Sequence, residues 1–364
     1  GKRADMVDGF LLFAVLDVWR MVLPLGLTLL LLMTDLMGRW QGDSYQRGLR
    51  EVLNPLVVRL TVGLLVMSGV VGLLVPAILG YPLPESHIAV GPWGYEEMLG
   101  FVLGGACLWK SRQINDPGKL SGFVWLGCAG VLFFGAGILW LARWDAMAHE
   151  GHVAGGWFVL GLSTVDWTRV FPKILHLLFA SLAAGGLVVT LLGLLGWSSA
   201  WGASDSTSRS RFVPSDEQVR YGVGWMLAGL VPQMFIGPWL FLVLGEVPRG
   251  GLIDGTGLAS AFFFVGVMAA LVAMVLLNAS FMVPHVKGLV WGGIICTVIT
   301  LVLMGMIRYV MFLRTLEAQG IPIAIGNVTV FHLLTVLILT GLMGAILVRW
   351  CVRPLAAFYA KAEL

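Results

Sequence analysis

Long runs of apolar residues, separated by short polar stretches, extend along almost the whole chain. Nine of these runs are long enough, or nearly so, for an α-helix to cross the hydrocarbon core of a bilayer, which takes roughly 20 residues. The pattern therefore predicts nine transmembrane helices, at residues 10–37, 56–80, 95–110, 121–142, 171–197, 219–245, 257–283, 286–312 and 327–349. The predicted fold class is all-α, a polytopic membrane bundle that forms one domain over residues 1–364.

Lys and Arg residues are distributed unequally between the two sets of connections. Because cytoplasmic loops of membrane proteins carry the excess of these residues, the richer set is assigned to the cytoplasm. That set includes the connections around Arg47, Lys119 and Arg211 and the segment around Arg353. The charge pattern therefore predicts a cytoplasmic C-terminus and an N-terminus on the outer side.

Composition supports a membrane protein and excludes several other classes. Charged residues make up 12% of the chain, about half of what a soluble domain carries. The net charge of +3 is too small to indicate nucleic-acid binding. None of the four cysteines forms a CxxC pair, so the sequence has no zinc-ribbon, iron–sulfur or covalent haem motif.

A histidine lies in the fifth predicted helix, in the segment "FPKILHLLFASLAAGG" at residues 171–186. An ionisable group inside the membrane is a candidate functional residue, and the neutral imidazole is a frequent metal ligand. Ala180, Ala183 and Ala184 follow His176 on its own helix face. Small residues there would leave room for a flat macrocycle, which suggests an axial ligand of haem b. Alternatively, they bring two transmembrane helices close together.

Three other polar residues are candidates at the predicted outer side. His332, in the ninth predicted helix, has a depth similar to that of His176 and could be a second haem ligand. Glu97 could handle the protons of a quinol, or could simply mark the interfacial end of a helix. Arg20 shares a helix face with Asp17, which favours an ion pair between them, and a contact with a haem propionate is the alternative.

Two segments resemble subunit I of the cytochrome bd quinol oxidases. "VDWTRVFPKILHLLFASLAAGGLVVTLLG" resembles that family's fifth helix, whose histidine ligates the low-spin haem b. "AFFFVGVMAALV", residues 261–272, is similar to the segment whose methionine is the second ligand. The resemblance implies that His176 and Met268 are the axial ligands of a haem b. It also implies nine helices, an outer N-terminus and a multi-pass location in the bacterial inner membrane.

The chain departs from the family at the residues that would serve oxygen chemistry. Trp19 stands where the family has the histidine of its high-spin haem, and Gly105 stands where a second glutamate follows Glu97. Gly266 replaces an arginine, and the long outer loop after the sixth helix is shortened. A haem with both axial positions filled suits electron transfer. The resemblance and its gaps together imply electron transfer without oxygen reduction.

The function predicted from the sequence is that of a haem b membrane subunit in a quinone-linked oxidoreductase complex. It would pass electrons between the quinone pool and a periplasmic redox partner, either a cytochrome c or an iron–sulfur protein, alongside other membrane subunits. The alternative is a haem-free scaffold or quinone-binding subunit of a larger complex. Haem content separates the two.

Overall fold

The computed structural model describes residues 2–41, 53, 56–66, 92–114, 120–150, 166–195, 216–253, 258–318 and 338. All regular secondary structure in these ranges is helical, which confirms the predicted all-α class. The helices are α1 Lys2–Gln41, α2 Leu56–Val66, α3 Pro92–Gln113, α4 Leu120–Glu150, α5 Trp167–Leu194, α6 Asp216–Val243, α7 Glu246–Ile253, α8 Leu258–Met282 and α9 Lys287–Ala318.

Eight of the predicted spans coincide with a described helix, in whole or in part. The main differences are at helix ends, because polar residues beyond an apolar run can continue a helix into the interface: α1 begins at Lys2 and α4 continues to Glu150. The short helix α7 was not predicted. The predicted span 327–349, and with it His332, lies outside the described residues apart from position 338.

Six helical segments within the described ranges are long and apolar enough to cross a membrane. They are Val18–Trp40, Leu120–Ala142, Trp167–Leu194, Asp216–Val243, Ala259–Met282 and Lys287–Arg308. In three of them, Leu120–Ala142, Asp216–Val243 and Ala259–Met282, less than half of the most apolar stretch is buried inside the protein. Exposed apolar surface on this scale is what a lipid environment requires.

Helix α5 has a central place in the described bundle. It packs most extensively against α6 and also along α1, while α3 pairs with α4 and α8 pairs with α9. Buried apolar side chains form three clusters: one around α1 to α5, one among α7 to α9, and one among α5, α6, α8 and α9. Trp19 of α1 packs against all three clusters. The three cores therefore meet at this side chain.

Helices α1 and α5 approach each other closely where both carry small residues. A Cβ atom on Gly26 would overlap the backbone carbonyl group of Ser181. A Cβ atom on Gly185 would lie 2.7 Å from the carbonyl oxygen of Gly26. Both atoms belong to backbone, which cannot rotate away as a side chain could. The distance between these two helices therefore depends on glycine at both positions.

The start of α5 is fixed three turns before His176. The Asp166 side chain caps the helix by accepting a hydrogen bond from the backbone N–H of Thr168 at 3.1 Å. The Thr168 hydroxyl also donates to this carboxylate, and Arg169 forms an ion pair with it at 3.1 Å. The hydrogen bond from the Thr168 side chain is the main reason that the pKa of Asp166 is lowered.

Candidate cofactor site

The imidazole of His176 has a buried nitrogen whose hydrogen-bonding capacity is unused. Across the parts of the chain that the structure describes, His176 Nδ1 has no hydrogen-bond partner. The backbone of the same residue is tied to α6, because Gln233 Nε2 donates a hydrogen bond to the His176 carbonyl oxygen at 2.8 Å. A buried polar atom without a partner costs about 1–3 kcal/mol. Such an atom therefore calls for an explanation, and a bound group is one.

The alanines that follow His176 serve helix packing. Ala183 and Ala184 are fully buried, and a Cβ atom on Gly229 of α6 would lie 2.8 Å from the Cβ atom of Ala183. The expectation that this whole face leaves room for a macrocycle is therefore wrong for these two residues. Small residues allow α5 to pack tightly against its neighbours, which was the alternative interpretation.

The described residues leave open space one helical turn beyond Gln233 on α6. This part of α6 lies beside the start of α5. Gly237 follows Gln233 by one turn, and no described heavy atom outside its immediate chain neighbourhood would lie within 4 Å of a Cβ atom there. Side chains of an α-helix point toward its N-terminus. The imidazole of His176 is therefore directed toward the level of Gly237. The described residues therefore leave room for a bound group beside α6 at this level.

Met268 lies at a comparable depth but faces a different direction. His176 and Met268 are each about ten residues, or ~15 Å, from the first residue of their helix. Met268 is 58% exposed, whereas Leu277 on the same helix is completely buried. Nine residues at 100° each put these two side chains on opposite sides of α8. The described helices therefore do not bring Met268 together with His176.

Arg20 and Glu97 form a buried ion pair between α1 and α3. Arg20 Nη2 lies 2.6 Å from Glu97 Oε1, and the side chains are only 11% and 2% exposed. The guanidinium carbon of Arg20 also lies 5.6 Å from the ring centre of Phe101. Sequence reasoning had paired Arg20 with Asp17, whose side chain lies outside the described set. The pair with Glu97 was missed because 77 residues separate the partners.

A second group of charged residues lies near His176 and was also missed. Lys173, three residues earlier on α5, forms a partly buried ion pair with Asp145 of α4. The guanidinium carbon of Arg308 on α9 lies 3.6 Å from the ring centre of Trp140 on α4. Each of these charges interrupts an apolar helix in the sequence, which was the signal available. In the folded protein these charged residues lie around the N-terminal half of α5, which begins at Trp167.

The described residues contain no group of three or more His, Cys, Asp or Glu side chains that could hold a metal ion. A haem iron does not need such a group, since the macrocycle supplies four ligands and the protein only one or two. His176 is the described residue that fits this requirement. Arg20, which is engaged with Glu97, and Met268, which faces away, do not converge on it.

Comparisons of sequence find no match among known families or curated proteins, whereas a comparison of structures finds a similar fold. No family model matches the chain, and a search of the curated proteins finds no match. Seven solved chains match in structure. One is the bd oxidase from Geobacillus thermodenitrificans, with a TM-score of 0.63 and 11% identity over 96% of this chain and 99% of that chain. The protein is therefore a multi-pass helical membrane protein with a fold similar to that of a bd oxidase.

Proposed function

We propose that the protein is a haem b membrane subunit that transfers electrons in a respiratory complex, with His176 as an axial ligand of the haem. The observation that carries this proposal is an imidazole within the apolar helix α5, beside a level of α6 where no described atom outside the chain neighbourhood of Gly237 would lie within 4 Å of a Cβ atom. A bd-oxidase-like fold over nearly the whole chain agrees with it. A haem held in this way would supply a one-electron carrier within the membrane.

The residues around the site would each contribute something specific. His176 provides a neutral nitrogen donor from a helix whose start is capped and whose middle is tightly packed. Apolar side chains of α5, α6, α8 and α9 pack together from about two turns beyond His176 along α5. The ion pairs Lys173–Asp145 and Arg20–Glu97 keep four charges neutralised in pairs inside the protein. Glu97 is in this arrangement a structural anion, and a role with quinol protons would require the pair to open.

We further propose that this protein does not reduce oxygen. Trp19 occupies the position at which the resemblance places the histidine of a second haem, and its side chain packs against all three apolar clusters. The bulky indole of Trp19 fills this junction, so no room is left there for a second haem. Electrons would arrive from quinol and leave to an outer-side redox protein, a cytochrome c or an iron–sulfur protein. Other membrane subunits would complete the complex.

A second candidate function is a haem-free scaffold or quinone-binding subunit. It is favoured by one observation, that Ala183 and Ala184 serve close helix packing and do not line an open face. In that case His176 would be a packed core histidine. Haem content decides between the two candidates.

The test is the reduced-minus-oxidised visible spectrum and the haem-to-protein ratio of the purified complex. We expect about one haem b per chain in the wild type and none in His176→Ala, because the axial ligand is lost. His285→Ala is the matched control, since this histidine is exposed beyond the end of α8 and its loss should leave the haem in place. A haem-free wild type would favour the scaffold, whereas a normal haem spectrum in His176→Ala would show that a residue other than His176 is the ligand.

The same preparation assigns the second ligand. Met268→Ala tests the residue that the resemblance implies, and His332→Ala tests the alternative. The exposed position of Met268 predicts that its loss leaves the spectrum unchanged. A spectrum altered by Met268→Ala would instead show that α8 presents a different face to α5 when haem is bound.

A further inference from the structure

Two buried polar atoms without partners belong to neighbouring side chains. One is Nδ1 of His176, and the other is Oε1 of Gln233 on α6. The carboxamide of Gln233 is held at this place by its own Nε2, which donates to the His176 carbonyl oxygen at 2.8 Å. The side-chain amide of Gln233 is therefore hydrogen-bonded to the backbone of the same residue that carries the imidazole.

The unused atoms are chemically complementary. A neutral imidazole carries one N–H group and one bare nitrogen, and an amide oxygen can only accept a hydrogen bond. If Nδ1 carries the hydrogen, Gln233 Oε1 can accept it, and both atoms gain a partner. The lone pair is then on Nε2, at the far side of the ring. Metal-bound histidines are commonly oriented in this way, by an acceptor at the nitrogen that does not bind the metal.

We infer that Gln233 is a positioning residue for His176: its Oε1 accepts a hydrogen bond from Nδ1–H and fixes the tautomer whose Nε2 can bind iron. This inference rests on the proposed function, in which His176 is an axial ligand. The bond from Gln233 Nε2 to the His176 carbonyl oxygen anchors the amide while Oε1 performs this task. Gln233 also connects α5 to α6, so the orientation of the ligand depends on how these two helices pack.

The inference predicts an ordered series of redox potentials. An acceptor at Nδ1–H makes the imidazole a stronger electron donor and stabilises the oxidised iron. Gln233→Leu removes the acceptor and should raise the midpoint potential. Gln233→Glu loses the donor that anchors the side chain to the His176 carbonyl oxygen, but it keeps an oxygen acceptor and adds a negative charge, so it should lower the potential. Haem binding should weaken by about 10- to 100-fold in Gln233→Leu, which is typical when such a partner is lost, and Gln233→Glu should retain the haem.

The chain provides a matched control on the same two helices. Gln218 of α6 is also buried, and its Nε2 donates to the carbonyl oxygen of Val189 on α5 at 3.4 Å. Fifteen residues along α6 separate it from Gln233, roughly 22 Å. Gln218→Leu therefore makes the same chemical change in the same helix pair, far from the imidazole. We expect it to leave the midpoint potential and haem affinity unchanged.

The experiment is an equilibrium redox titration of the purified complex, with haem affinity measured by transfer to apomyoglobin. Potentials ordered Leu above Gln above Glu, with Gln218→Leu equal to the wild type, would support the inference. Equal potentials in all Gln233 variants, or an equal shift in Gln218→Leu, would overturn it while leaving the haem function intact. A wild-type complex without haem would overturn the proposed function and this inference together.

Discussion

Gly26→Ala is expected to lower the free energy of unfolding by about 1–3 kcal/mol, the usual cost of overpacking. The added methyl group would meet the backbone of Ser181, so α1 and α5 could accommodate it only by moving apart. In an ordinary helix position the same substitution stabilises by roughly 1 kcal/mol, because alanine favours the helix over glycine. The sign of the effect therefore reports the contact between the two helices.

Gly105→Ala is the control for this substitution. Gly105 lies within α3, and nothing outside its own chain neighbourhood would lie within 4 Å of the new methyl group. Stability can be measured by titrating the protein in mixed micelles with a denaturing detergent and following helix content by circular dichroism. If Gly26→Ala proves as stable as Gly105→Ala, the close approach of α1 and α5 is not present in the folded protein.

Glu97→Gln is expected to cost about 3–5 kcal/mol of stability, because it removes the carboxylate that lies 2.6 Å from the largely buried Arg20 guanidinium. Arg20→Met should cost a similar amount for the converse reason. In the double variant Arg20→Met/Glu97→Leu no charge remains to be buried, so much of the loss should be recovered. The same detergent titration on the wild type, both single variants and the double variant gives the coupling energy.

This cycle also tests whether Glu97 has a chemical role. If Glu97 only neutralises Arg20, the double variant should regain stability together with the quinol-linked electron transfer that we propose. Recovery of stability without recovery of electron transfer would indicate that the carboxylate handles protons. If the loss of stability in the double variant equals the sum of the two single losses, Arg20 and Glu97 do not stabilise the protein as an ion pair.

The helices were predictable because each depends on a local property of the chain. An apolar run of spanning length defines α5, α6, α8 and α9 without reference to any other part of the molecule, and their observed ends differ from the predicted ones by a few residues. Helix α7 was missed because Pro248 and two glycines at 250 and 251 are typical of a loop. Local composition says little about such a short element between two long helices.

The contacts within the candidate site were much less predictable. Arg20 has Asp17 as a neighbour along its own helix, and only the packing of α1 on α3 shows that Glu97 is its partner. His176 was identified because an imidazole in an apolar run is unusual. Gln233 is equally isolated among apolar residues, in "LVPQMFIG", and could have been identified for the same reason. The contact between Gln233 and His176 could not have been predicted, because it depends on the register between α5 and α6. That register is set by glycines and alanines along both helices.

The close contact between Gly26 and Ser181 also has a consequence for how the chain is made. About 150 residues separate the two positions, and a ribosome adds roughly 5–20 residues per second. For some ten to thirty seconds, then, α1 resides in the membrane with its glycine surface facing lipid or an insertion factor, until α5 is synthesised and can cover it. Helix α1 is therefore inserted well before the helix that covers its glycine surface.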